Sequence, residues 1–151
     1  MTEWSNVSDC KSDGYNTYGG SNPPAAPFYQ VTLDPSWHPE YENLCTVLQH
    51  SGSNELFYYN VPSVVARRLT LPAYTRLSWV VIPKPTQSRW HTDTRSRPVI
   101  NYYVHAGNGV TEFGNGSSFV AQDNEAWWLD VGQIHRVTAP AIRRFLQIEL
   151  A

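Results

Sequence analysis

The segment Trp90-His91-Thr92-Asp93 sets an imidazole and a carboxylate two positions apart. In an extended strand, residues i and i+2 point to the same face, so His91 and Asp93 are predicted to project together. A second imidazole, His135, follows 42 positions after Asp93. Two imidazoles and one carboxylate suit a divalent iron and leave its other positions open for a co-substrate and O2. The bland alternative is a surface His–Asp hydrogen bond with an unrelated histidine elsewhere, because an H-x-D tripeptide alone is a weak signal. A similar tripeptide, His38-Pro39-Glu40, is set aside: Pro39 cannot donate to a sheet ladder, and a helical pattern begins there. His50 and His105 have no carboxylate two positions away and read as ordinary histidines.

The last strand-like run is Arg143-Arg144-Phe145-Leu146-Gln147-Ile148-Glu149-Leu150. Alternation puts Arg144 on a face with Leu146, Ile148 and Leu150, and Arg143 on a face with Phe145, Gln147 and Glu149. The apolar stripe therefore aims Arg144 into the core. A buried guanidinium needs a partner, and a dicarboxylate co-substrate would supply one through a bidentate, charge-assisted pair. Snorkelling of Arg144 out at the strand end is the alternative.

The H-x-D pair, the distal His135 and an Arg nine positions after it resemble the 2-oxoglutarate- and Fe(II)-dependent oxygenases. His135-Arg136-Val137-Thr138 through Arg144-Phe145 is similar to the prolyl-hydroxylase branch, as is Val99-Ile100-Asn101-Tyr102-Tyr103-Val104. The resemblance spans roughly residues 70–150. It implies a double-stranded β-helix with Fe(II) on His91, Asp93 and His135. It also implies 2-oxoglutarate chelating that metal, with its far carboxylate on Arg144 and Tyr103. O2 would take the last position, a substrate C–H would be hydroxylated, and succinate and CO2 would be co-products. The chain departs from the family in being short, with a compact stretch between Asp93 and His135. Alternatives are a cupin-like metalloprotein with other chemistry, which normally carries more histidines in the first metal strand, and a non-enzymatic jelly-roll binding or structural module.

Arg89, Arg95 and Arg97 surround the metal segment. Arg95 and Arg97 are candidates to meet an anionic substrate or a substrate backbone, against the alternative of solvated charges at a strand edge. Trp90, Trp127 and Trp128 read as sheet packing rather than substrate stacking.

The whole chain must position these groups, and its composition limits how. It has 151 residues, 16% of them charged and 13% aromatic. That is one domain able to bury a core, and rich in residues that suit pleated sheets. A net charge of −2 excludes bulk phosphate-backbone binding. The two cysteines, Cys10 and Cys45, are too few for a disulfide scaffold and read as thiols of a reducing compartment. No apolar run approaches a membrane span, and Met1 to Asn6 lacks the basic-then-apolar series of a secretory signal, so a cytoplasmic protein is expected. Expected partners are a small-molecule, peptide or protein substrate, with no membrane or nucleic acid.

Residues 1–27 are polar and small, and read as a mobile or draped arm before a single domain over 28–151. A strand is predicted at Phe28–Leu33 and a helix over Pro39–Gln49, where Tyr41, Leu44, Val47 and Leu48 share a face. Leu56–Tyr59 reads as a strand, and Val61–Leu69 as ambiguous, with a short helix as one reading. Strands then follow at Arg76–Ile82, Ser88–Arg95, Val99–His105, Val110–Phe113, Ser118–Ala121, Glu125–Leu129, Ile134–Thr138 and Arg143–Leu150. The turns Gly107-Asn108-Gly109 and Gly114-Asn115-Gly116 separate some of them. The fold class is therefore mainly β, a jelly roll with one or two short supporting helices in the N-terminal half.

Overall fold

A computed structural model describes residues 2–4, 26–32, 57–93 and 98–151, with the backbone alone for 2–4 and 57–59. In chain order its elements are β1 (Thr2–Trp4), β2 (Phe28–Val31), β3 (Phe57–Asn60), α1 (Ser63–Ala66), β4 (Tyr74–Ile82), β5 (Thr86–Ser88), β6 (Val99–His105), β7 (Val110–Phe113), β8 (Ser118–Val120), β9 (Glu125–Leu129), β10 (His135–Ala139) and β11 (Arg143–Leu150). The strands form two sheets, in the orders β1-β5-β10-β7-β8 and β2-β9-β6-β11-β4-β3. Every pairing is antiparallel except β1 with β5, which joins Thr2–Trp4 of the N-terminal arm to the edge of the smaller sheet. This is a mainly β jelly-roll sandwich of two sheets, with one short helix among the described residues. The predicted helix over 39–49 lies outside them.

The larger sheet is buried on both faces. Its outer face carries Leu77, Trp79, Val81, Ile100, Tyr102, Val104, Leu146 and Ile148, packed with Ala66 of α1 and with Leu69. Its inner face carries Val80, Ile82, Val99, Tyr103 and Phe145, packed with Phe113, Phe119 and Ala139 of the opposing sheet. Period-2 alternation divides the strand residues between the two layers. β4 accordingly reads as an unbroken buried run from Leu77 to Ile82.

This double burial corrects the expectation for β11. The stripe Leu146 and Ile148 belongs to the outer core beneath α1, not to the space between the sheets. Arg144 stands on that outer face and is half-buried, whereas Arg143 faces inward and is 1% exposed. Alternation pairs residues correctly by face, but an apolar stripe does not tell the two faces apart when both are covered. Leu146 is fully buried in the outer layer. Leu146→Ala should therefore cost about 2–5 kcal/mol in urea unfolding. The metal affinity of the folded variant should stay at the wild-type value, which equilibrium titration would check.

The β6–β7 connection crosses from one sheet to the other. Gly107 and Asn108 both adopt positive φ, 62° and 54°, and Gly109 N–H donates to the Ala106 carbonyl at 3.1 Å. These are the features of a tight type I′ turn, which Asn and Gly accept at least cost.

Candidate functional site

His91 and His135 lie 44 positions apart in sequence but directly opposite one another in space. They form an isolated antiparallel bridge, each N–H donating to the other's carbonyl at 2.9 Å. Directly opposed residues send their side chains to the same face, and the two imidazole centroids are 4.3 Å apart. Asp93 follows two positions on, anchored by its N–H to the Val131 carbonyl at 3.0 Å.

The predicted continuous strand over 88–95 is not what positions these groups. β5 ends at Ser88, and residues 94–97 lie outside the described ones. Gln87 pairs with Thr138, while His91 pairs with His135, so four steps on one strand match three on the other. One extra residue is thus accommodated, as in a β-bulge, a device that re-aims side chains beside active sites. The Ser88 hydroxyl accepts the Val137 N–H at 2.8 Å across this irregularity.

The three side chains offer ligand atoms that all lie within 4.8 Å of one another. The Asp93 carboxylate is 3.5 Å from His91 Nε2 and 3.7 Å from His135 Nε2. Two donors at about 2.1 Å from one ion can be up to ~4.2 Å apart, so both separations suit a shared metal. The remaining ring nitrogens decide the tautomers. His91 Nδ1 lies 2.6 Å from the Arg89 carbonyl, and His135 Nδ1 lies 2.8 Å from the Gln133 carbonyl. A carbonyl oxygen only accepts, so each Nδ1 carries the proton and each Nε2 keeps its lone pair for a metal. Both imidazoles are 4% exposed, which shields the site from bulk water. The donor set therefore fits a divalent transition metal.

The same cavity is lined by His91, Asp93 and His135 and also by Asn101, Tyr103, Thr111, Arg143 and Gln147. Val80, Ile82, Leu129, Val131, Val137 and Phe145 complete its apolar walls. Arg143 Cζ sits 4.4 Å over the Tyr103 ring and 5.7 Å from the Phe145 ring centroid. Its Nε and Nη2 have no hydrogen-bond partner among the described residues. Burial pushes its pKa down from the ordinary guanidinium value, while the neighbouring Tyr103 acts in the opposite direction. A guanidinium starts so far above neutrality that it keeps its charge. Asn101 Oδ1 and Thr111 Oγ1, in the same cavity, are further buried polar atoms with no partner among the described residues.

Tyr103, which the family resemblance nominates as a co-substrate contact, is 1% exposed and lines this cavity, while its neighbour Tyr102 belongs to the outer core. Asn101 Nδ2 donates to the Tyr103 hydroxyl at 3.2 Å, which leaves the tyrosine's own proton available to an acceptor. Arg144 is not among the cavity-lining residues; Arg143 takes that place. Arg95 and Arg97 lie outside the described residues, as do Cys10 and Cys45. Arg143, Asn101, Thr111 and Gln147 were not singled out from sequence. Their only signal there is alternation: Asn101 with Tyr103, Arg143 and Gln147 with Phe145, and Thr111 with Phe113.

No protein-family profile matches the sequence, and no curated protein matches it. Solved structures do. AviO1 from Streptomyces viridochromogenes aligns with a TM-score of 0.57 at 14% identity, covering 82% of this chain and 88% of that one. A prolyl-4-hydroxylase from Pseudomonas putida aligns with a TM-score of 0.55 at 9% identity, covering 93% of this chain and 98% of that one. A cupin superfamily protein from Desulfitobacterium hafniense aligns with a TM-score of 0.51 at 12% identity, covering 71% and 86%. The fold is that of a cupin jelly roll. At these identities the likeness speaks for the fold alone, and the site must be argued from its own residues. Among the described residues, no helix is long and apolar enough to cross a membrane.

Proposed function

We propose that this protein is an Fe(II)- and 2-oxoglutarate-dependent dioxygenase that hydroxylates a C–H bond of a peptidyl residue or a small molecule. The observation that carries the reading is Arg143, a fully buried cation with two nitrogens unpartnered among the described residues, lining one cavity with a His-Asp-His triad. A metal site alone explains the triad. It does not explain a buried guanidinium, which is costly to keep unless an anion answers it.

A dicarboxylate answers both ends. A divalent metal with Asp93 leaves one surplus positive charge, Arg143 adds another, and 2-oxoglutarate brings two negative charges. His91, Asp93 and His135 would hold the metal, with the Arg89 and Gln133 carbonyls fixing the imidazole orientation. Arg143 would take the distal carboxylate, and the Tyr103 hydroxyl and Thr111 are placed in the same cavity to add donors. The apolar walls exclude water, which strengthens these charged contacts. Iron, when bound, supplies O2 activation coupled to decarboxylation of 2-oxoglutarate, while the protein orients and shields the reaction.

The test combines binding and turnover. Mn(II) and 2-oxoglutarate together should raise the melting temperature more than the sum of each alone, because each stabilises the state that binds the other. With Fe(II) and O2, the protein should release succinate slowly even without its prime substrate. A metal shift that 2-oxoglutarate never enlarges would instead favour a cupin-like metalloprotein of other chemistry. No response to either would favour a non-enzymatic jelly-roll module.

A further inference from the structure

We infer that Gly109 is a positioning residue that seats the Arg143 guanidinium; its consequence for ligand binding rests on the reading above. Arg143 is enclosed on three sides. The Tyr103 ring lies 4.4 Å from its Cζ, the Phe145 ring 5.7 Å, and the backbone of Gly109 closes the third side. A Cβ added at Gly109 would lie 2.7 Å from Arg143 Cζ, 2.9 Å from Nε and 3.0 Å from Nη1. Those distances are too short for carbon, so the guanidinium would have to move.

In an exposed arginine such a collision would be relieved by a rotamer change. Arg143 is 1% exposed, and close-packed interiors offer few alternative positions. Gly109 is not among the glycines with positive φ, which are Gly107 and Gly116. Its backbone conformation therefore suits any residue, and it is space for Arg143 that calls for glycine. Gly107 meets the backbone just before Arg143 rather than the guanidinium itself. It has a φ of 62°, and a Cβ there would lie 2.5 Å from the Ile142 carbonyl oxygen. The two glycines thus let the β6–β7 turn close onto the β10–β11 connection from which Arg143 projects. A motif that reads in sequence as a simple turn is also a seat for the cavity's cation.

The experiment is a double-mutant cycle with a ligand readout. Gly109→Ala should keep the wild-type Mn(II)-induced thermal shift. It should weaken 2-oxoglutarate binding to the Mn(II)-loaded protein by between about ten- and a hundred-fold, the scale of a small misplacement of a charged anchor. KM for 2-oxoglutarate should rise correspondingly in the succinate assay, with kcat changed much less. In an Arg143→Ala background, where the colliding atoms are gone, Gly109→Ala should cause no further loss of thermal stability, so the two effects should be strongly non-additive.

Wild-type protein whose Mn(II)-loaded form ignores 2-oxoglutarate would overturn the proposed function and this inference together. Wild type that binds it while Gly109→Ala binds it equally well would overturn the inference alone. So would strictly additive stability losses. If Gly109→Ala does not fold, the inference requires that Gly109→Ala/Arg143→Ala does, and failure of the double variant would also overturn it.

Discussion

Replacing Arg143 by methionine should abolish 2-oxoglutarate binding, leave Mn(II) binding in place, and fail to destabilise the ligand-free protein. The first result follows from the chemistry of a desolvated charge pair. Truncating one partner of such a pair costs roughly 2–5 kcal/mol, or about 30- to several-thousand-fold in affinity. The second follows from the residue's position, because the groups that would hold the metal are His91, Asp93 and His135, and the two imidazoles are oriented by the Arg89 and Gln133 carbonyls. The third result is the unusual one. Large changes in a core usually destabilise, but Arg143 Nε and Nη2 have no partners among the described residues. An apolar side chain of similar length removes that cost and retains contact with Tyr103 and Phe145. Thermal unfolding without ligand should therefore give a melting temperature equal to or above wild type. A marked loss would mean that the guanidinium contributes to folding by itself. Arg144→Ala is the matched control, since Arg144 lies on the outer face and should leave 2-oxoglutarate affinity unchanged.

The second large effect concerns Asp93. Its carboxylate lies between the two imidazoles, 3.5 Å and 3.7 Å from their Nε2 atoms, and it is the one anionic member of the triad. Asp93→Ala removes both a ligand and the charge that makes a divalent ion welcome beside two buried rings. A ligand present at a hundred times its dissociation constant stabilises a folded protein by about 2.7 kcal/mol, and that increment should vanish in the variant. Succinate formation should fall to background with it. His105→Ala is the control, because His105, at the end of β6, is not among the cavity-lining residues. A variant at Asp93 that kept the full Mn(II) shift would show that the metal sits elsewhere.

These two predictions differ in how they could be reached. Asp93 is nominated in sequence by the H-x-D spacing, although the His91–His135 bridge and the Asp93 N–H bond to the Val131 carbonyl, rather than a continuous strand, bring the three groups together. The strand boundaries of β6, β7, β9 and β11 were legible in sequence. β-branched and aromatic runs bounded by Gly, Pro and Asn specify short strands locally, without long-range information. The helix over 39–49 and the arginines at 95 and 97 lie outside the described residues.

What sequence determined by itself was local: which residues are extended, where the chain turns, and which side chains share a face. It separated Arg143, Phe145 and Gln147 from Arg144, Leu146 and Ile148 correctly. Tertiary structure alone decided which set meets the His-Asp-His triad. Both faces of the larger sheet are covered, one by α1 and its flanking residues and one by the smaller sheet, so hydrophobicity marks both faces as interior. The deciding quantity is polar rather than apolar. The face between the sheets is the one where Arg143, Asn101, Thr111 and Tyr103 converge on the triad. Likewise, the extra residue between Ser88 and His91 belongs to the pairing of two strands, not to either strand's own sequence. Register is a property of partners, and it is the register of His91 against His135 that turns two distant imidazoles into one site.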